Sequence, residues 1–363
     1  MSDFLCVGTF DCDTFTQSYG VYVLPFDART GKLSAAVEVQ NPGFNASSIV
    51  AAPSGRFLYV SNDRLVEGGV CAYQTNRDGT LKFLNKLEFP GAGAASLAIS
   101  NDGRYVLAPL YGGSQVVCCR VGENGGVEEM VQHILLEGHG IHERQEKPHP
   151  HHILFNPAGT HVIVPDLGSN RIWVYAFDSA QGLLSACGSD EVDPGEGPRH
   201  ASFHPQNPWL YVLTEMGNTV YFYLFDEQTG ALTRKQKLSL LPETFNGECI
   251  AAEIKVSPDG RYLLCSTRGY YASDGTDRIF SIPIDKETGY LGTPASYSSK
   301  GICPRVFEFS PNGNFVLISN QFSHEVIAVR YDSLTGGLGE VCGKAKVVHP
   351  SGLASFSLLE RNH

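Results

Sequence analysis

Apolar positions in this chain come in short runs, each closed by a polar turn, and no amphipathic helix of useful length interrupts them. Six runs follow a common landmark, a turn of the Pro-x-Gly kind. The landmarks are PSG at Pro53, NDG at Asn101, PAG at Pro157, PQN at Pro205, PDG at Pro258 and PNG at Pro311. The runs behind them are RFLYVSN, RYVLAPL, THVIVPD, PWLYVLT, RYLLCST and NFVLISN. Stretches rich in aromatic and β-branched residues come next, such as RIWVYAFD, TVYFYLFD and EVIAVRYD, and they read as strands. A second turn, with glycine second and an aliphatic residue fourth, closes each unit. It reads TGKL, DGTL, NGGV, QGLL, TGAL, TGYL and TGGL, from Thr30 to Leu338.

Units of roughly fifty residues built from short strands predict a propeller or a similar array. The expected fold is all-β: a seven-bladed β-propeller with four antiparallel strands per blade, forming one domain over residues 1–363. The ends support closure. SGLASFSLL near the C-terminus resembles a first strand such as SSIVAAP, whereas FLCVGTF and GVYVLPFD resemble second and third strands. One blade is therefore expected to be built from both termini, which pairs both terminal strands. Insertions around residues 137–147 and 270–277 are expected to form loops over one rim.

Composition narrows the function. The chain is 42% hydrophobic with a net charge of −11, and no basic stripe appears, so nucleic-acid and anionic-membrane partners are not expected. The opening MSDFLCVGTFDCD has neither a basic start nor a long apolar run, so a cytoplasmic location is expected. The ten cysteines include no CxxC pair and read as reduced, mostly buried thiols. A closed propeller has no obligatory partner surface, so a monomer is expected.

The repeat allows blades to be compared position by position. Six residues before each landmark stand Ser47, Ala95, His151, Arg199, Ala252 and Arg305. Small residues are the default where inner strands crowd the axis, so His151, Arg199 and Arg305 stand out. Ten residues after each landmark stand Asp63, Tyr111, Leu167, Glu215, Arg268 and Gln321, of which Glu215 and Arg268 stand out. Equivalent positions in a ring lie at similar heights, so these five charged or titratable residues are expected to converge on one mouth of the central channel. Charged strand ends can also simply pair with each other, as Glu215 with Arg268. Five at matching heights, however, carry a cost in desolvation that folding does not require.

His149 and His151 lie two apart and on a strand would share a face. His-x-His with a carboxylate is one zinc arrangement, but no third ligand is fixed by spacing, so neither metal nor cofactor is expected. His149 and His200 join Arg305 as candidate substrate-binding residues, and His152 is expected to be a core or blade-packing residue. GAGAAS opens a strand rather than a helix, which removes the phosphate-cradling logic of a dinucleotide loop.

The pairs PHPHHILFNPAG with VPDLGSNRIWVY and GEGPRHASFHP with YVLTEMGNTVYFY carry a family resemblance, as do AAEIKVSPDGRYLLCSTRG and CPRVFEFSPNGNFVLISNQ. In order and combination they resemble the seven-bladed lactonase family. That family includes propeller-type 6-phosphogluconolactonases and fungal 3-carboxy-cis,cis-muconate lactonizing enzymes. The resemblance runs over essentially the whole chain. It implies a site of one histidine, two arginines and a glutamate, which by motif fall on His151, Arg199, Arg268 and Glu215. STRG stands where SNRG is usual, and TEMGNT where an Asn-Glu pair is common, but neither change removes a charge.

The function expected from the resemblance is hydrolysis of a small anionic sugar lactone, foremost 6-phospho-D-glucono-1,5-lactone. Glu215 or His151 would activate water, Arg199 and Arg268 would stabilise the oxyanion, and Arg305 would hold the substrate's anionic group. Muconate cycloisomerisation would use the same residues, with His151 or Glu215 as the acid. A non-enzymatic propeller that binds a protein on its rim is the third reading, and the charge gathered at the channel argues against it.

Overall fold

The glycine of each repeated turn sets how one blade meets the next. Gly31, Gly79, Gly125, Gly182, Gly230, Gly289 and Gly336 all have φ between 69° and 85°. An L side chain held there costs roughly 1–2 kcal/mol. A Cβ at each glycine would also run into a side chain near the start of the preceding blade's second strand. In the same order these are Phe315, Phe4, Phe57, Tyr105, His161, Trp209 and Tyr262. The turn motif therefore records a packing contact as well as a chain reversal. Gly182→Ala is expected to lower stability by at least about 2 kcal/mol, because it adds strain at positive φ and drives a methyl into Tyr105. Gly188→Ala, where the nearest atom is 3.9 Å from the added carbon, is expected to stay within about 0.5 kcal/mol of wild type. Urea unfolding of both variants measures the difference, and equal midpoints would show that the contact does not hold the blades.

The computed structural model describes all residues except 1–2, 11–19, 40–42, 44, 65–66, 91–92, 246, 270–274 and 358–363. It contains seven antiparallel sheets. Blades 2 to 7 follow chain order with four strands each. Blade 5, for example, runs Pro198–Phe203, Trp209–Thr214, Thr219–Phe225 and Leu232–Ser239 from the axis outward. Blade 1 takes its inner strand, Pro350–Ser357, from the C-terminus and pairs it with Asp3–Thr9 from the N-terminus. Its outer edge is split into two short pieces, Lys32–Leu33 and Val37–Val39, both on Val21–Asp27. Among the described residues the one helical element is a 3-10 turn, Gln321–Ser323. No helix among them is long and apolar enough to cross a membrane.

The apolar core lies between blades. Trp209, Tyr211, Leu213 and Phe222 of blade 5 form one buried cluster with Ala251, Ile254, Leu263 and Cys265 of blade 6. Of the nine cysteines described as free thiols, seven are buried, and burial pushes Cys6 and Cys118 up to about 12. Cys12 lies outside the described residues.

The inner strands of blades 5, 6 and 7 share one irregularity. Pairing skips a residue at Arg199, at Arg305, and across Ala252 and Glu253. Such a bulge re-aims a side chain. In blades 5 and 7 it follows a proline, Pro198 or Pro304, which has no N–H to give to the ladder. Both bulges lie at the strand end where the charged residues were expected.

Candidate active site

Glu215 is the hub. It stands one residue beyond Trp209–Thr214 and is 1% exposed. Its backbone N–H donates to the Gly197 carbonyl (2.8 Å), and its own carbonyl accepts from Ala251 N–H (3.0 Å). The carboxylate is thereby fixed between blades 5 and 6. Arg199 Nε donates to Oε2 at 2.6 Å, and Arg144 Nη1 donates to Oε1 at 2.7 Å. Arg268, the last residue of Tyr262–Arg268, brings Nη2 to 3.9 Å from Oε2. Arg199 also donates through Nη1 to the Ala252 carbonyl. Burial alone would raise the carboxyl of Glu215, but Arg199, Arg144, Arg268 and His151 outweigh it and hold the group far below the ordinary carboxylate range. Burial, with Arg268 and Arg305 nearby, lowers Arg199 to about 10 against the pull of Glu215, which leaves it charged at neutral pH.

His151 approaches from blade 4, with Nε2 3.9 Å from Glu215 Oε2 and a side chain 12% exposed. Burial is the largest influence on it. Arg199 and His200 add repulsion, Glu215 only partly offsets them, and the imidazole is held well below its ordinary value. It is neutral at pH 7 and able to accept a proton. Its Nδ1 is buried with no hydrogen-bond partner among the described residues. A buried imidazole nitrogen without a partner is rare in folded proteins outside functional positions.

The expected residues thus divide into layers. His151, Arg199, Glu215 and Arg268 come together in one cluster. Arg305, on blade 7, acts on Arg199 and His151 through its charge; its guanidinium lies 4.6 Å over the ring of Phe10 from blade 1, and it interacts electrostatically with Asp63 of blade 2. His149 flanks the cluster. Its Nδ1 donates to the Tyr111 carbonyl (2.9 Å), its Nε2 lies 3.0 Å from Glu146 Oε1, and its ring stacks on Tyr111. His200 lies beyond His151, ring centroids 5.2 Å apart, with Nδ1 2.9 Å from Glu253 Oε1. His152 stacks on His200 at 4.5 Å, which joins blades 4 and 5. On the same inner strands, Lys255 Nζ lies 3.3 Å from Glu308 Oε1. His149 and His151 turn to different partners, and no group of three or more metal-ligating side chains occurs among the described residues.

Over residues 4–354 the sequence matches the family described as lactonase, 7-bladed beta-propeller. The chain belongs to this lactonase family. It is 30% identical over 343 residues to the 6-phosphogluconolactonase of Bacillus subtilis, covering 93% of this chain and 95% of that protein. It is 27% identical over 346 residues to the 6-phosphogluconolactonase of Formosa agariphila, covering 93% and 96%. The solved structure of the periplasmic gluconolactonase of Pseudomonas aeruginosa matches with a TM-score of 0.89 and 28% identity, covering 98% of this chain and 99% of that one.

Two residues of this lactonase's candidate site escaped the comparison of blades. Arg144 belongs to the 137–147 insertion, which no other blade repeats, yet it donates directly to Glu215. Tyr111 occupies the position equivalent to Glu215 in blade 3 and accepts from Arg144 Nη2 at 3.4 Å. It stands in the compared row but carries no charge to set it apart. The other insertion, around residues 270–277, falls largely outside the described residues.

Proposed function

We propose that this lactonase hydrolyses a small anionic sugar lactone, foremost 6-phospho-D-glucono-1,5-lactone, at the charged mouth of its channel. The observation that carries the reading is a neutral His151 set 3.9 Å from a carboxylate that three arginines keep ionised. Glu215 is committed to those arginines, which makes it a poor base. The neutral imidazole is the better one, and Glu215 beside it stabilises the imidazolium that forms.

In this mechanism His151 takes a proton from water as the water oxygen bonds to the lactone carbonyl carbon. The carbonyl electrons move onto oxygen, and the positive field of Arg199 and Arg268 stabilises that oxyanion. The carbonyl re-forms, the bond to the ring oxygen breaks, and His151 returns its proton to that oxygen. The product is a hydroxy acid, whose carboxyl ionises and releases one proton to solvent. Arg305 would hold the substrate's anionic group. The names of the Bacillus subtilis and Formosa agariphila relatives favour the phosphorylated lactone over a muconate. The reading places the protein in cytoplasmic carbohydrate metabolism, where this hydrolysis feeds the pentose phosphate pathway.

The two ring chemistries separate in one experiment. Freshly made 6-phosphogluconolactone is followed by proton release, and 3-carboxy-cis,cis-muconate by its ultraviolet absorbance, each with and without enzyme. Acceleration of proton release alone is the expected outcome. Loss of muconate absorbance, with the lactone no faster than buffer, would replace hydrolysis with cycloisomerisation.

A further inference from the structure

We propose that Arg144 determines specificity for anionic substrates, exchanging Oε1 of Glu215 for an oxygen of the substrate's phosphate. The proposal rests on the lactonase reading of the same mouth. Of the three guanidinium groups around Glu215, Arg199 and Arg268 are 1% and 2% exposed, whereas Arg144 is 35% exposed. Arg144 alone of these three presents substantial surface to an incoming ligand.

The loop that carries it is fixed. Gln145, fully buried, donates from Nε2 to the Leu167 carbonyl (2.7 Å) and to Asn170 Oδ1 (3.1 Å), and its Oε1 accepts from His142 N–H (3.2 Å). Gln145 O accepts from Gly140 N–H (2.9 Å), and Lys147 Nζ donates to the Gly112 carbonyl (2.7 Å). Asn170 in turn accepts from Gly197 N–H at 3.0 Å, next to the bulge that carries Arg199. The insertion is thus tied into blades 3, 4 and 5, and binding has little backbone left to order.

The side chain can change partner without stranding the carboxylate. If Arg144 turned outward, Glu215 would keep Arg199 Nε at 2.6 Å on its other oxygen. Among the described residues the Arg144 guanidinium makes two hydrogen bonds, to Glu215 and Tyr111, from the five N–H donors it carries. Its planar fork matches the geometry of phosphate oxygens. Of the two acids beside it in the chain, Glu143 and Glu146, the second lies against His149. Arg305, on blade 7, adds a guanidinium from the repeat whose charge reaches Arg199 and His151 of the same cluster.

The test compares 6-phosphogluconolactone with unphosphorylated glucono-1,5-lactone for wild type, Arg144→Met, Arg144→Lys and Arg305→Met. Arg144→Met is expected to lower the preference for the phosphorylated over the unphosphorylated lactone about thirtyfold, with the difference carried by KM, the size of one hydrogen bond to a charged group. The unphosphorylated lactone should lose only what the missing partner of Glu215 costs both substrates, and lysine should recover part of the phosphate-specific loss. Calorimetric titration with 6-phosphogluconate and with gluconate gives a readout independent of turnover, and Arg144→Met should weaken only the former. An equal loss on both lactones would overturn the proposal, since Arg144 would then act only through Glu215. So would unchanged discrimination in Arg144→Met alongside a lost preference in Arg305→Met. If wild type accelerates neither lactone and binds neither acid, the lactonase reading fails and takes the proposal with it. Titration that separates the two acids without any turnover would instead keep the anion site and remove only the hydrolysis.

Discussion

His151→Ala is expected to lower kcat/KM for an anionic lactone by about a thousandfold, the middle of the range for losing a positioned acid–base group. The fold should survive the change. The imidazole is not part of the hydrogen-bonded pairs that fix Glu215, and its Nδ1 has no partner among the described residues. The pH profile adds a sharper signature. A base works only when deprotonated, so activity is present above its pKa and lost below it. Burial and Arg199 hold His151 well below its ordinary value. Wild-type kcat/KM should therefore stay level as pH falls through the ordinary histidine range, about 6.5, and drop only beneath it. A profile that breaks at or above that value would assign the proton to another group. Full activity in His151→Ala would remove His151 from the chemistry.

Glu215→Gln is expected to have the largest effect on stability of any single change in the site. Glutamine keeps the shape but removes the charge that Arg199, 1% exposed, meets at 2.6 Å and that Arg268, 2% exposed, faces at 3.9 Å. Breaking a buried pair from one side typically costs about 3–5 kcal/mol. With an unfolding entropy of roughly 2 cal/mol/K per residue, that is a fall in Tm of about 5 °C for a chain of this length. Arg144→Met removes a partner that is 35% exposed and should cost under about 1 kcal/mol. Calorimetric melting of the two variants should thus show the loss following burial. Equal shifts would mean that the arginines are better solvated than their positions indicate.

The sign with pH follows from the direction of the shift. The folded-state pKa of Glu215 is depressed, so its stabilisation is fully present above the ordinary carboxylate value. That stabilisation is lost only as pH falls toward the lower folded value. The gap in Tm between wild type and Glu215→Gln should therefore hold through neutral pH and narrow only in acid.

The fold was legible because its instructions repeat. Seven turns carry glycine in the same place, and in the structure all seven glycines share a left-handed backbone and a neighbouring side chain to lie against. The split outer edge of blade 1 was not legible, since Lys32–Leu33 and Val37–Val39 are too short to register as strands in sequence. Much of the site was legible for a geometric reason. A ring places equivalent positions at equal heights, so residue types that break the pattern identify themselves, as Arg199 and Glu215 do. Arg144 was hidden because an insertion has no equivalent in other blades. In the layer beyond, His200 and His152 were named from sequence, but Glu253 was missed because it lies one residue further along than the charged row. One residue further along the inner strands stand Ser48, Ser96, His152, His200, Glu253 and Val306. Adjacent blades in that row carry His200 and Glu253, the two residues that pair at 2.9 Å, so their residue types alone mark the contact.

The most direct test of a catalytic channel mouth is the initial rate at which fresh 6-phosphogluconolactone disappears. Wild type, His151→Ala and buffer alone are compared in one pH-stat series at slightly acidic pH. The account predicts that wild type exceeds buffer at least about a hundredfold, and that His151→Ala forfeits nearly all of that gain. A wild-type rate equal to buffer, or a His151→Ala rate equal to wild type, would contradict it.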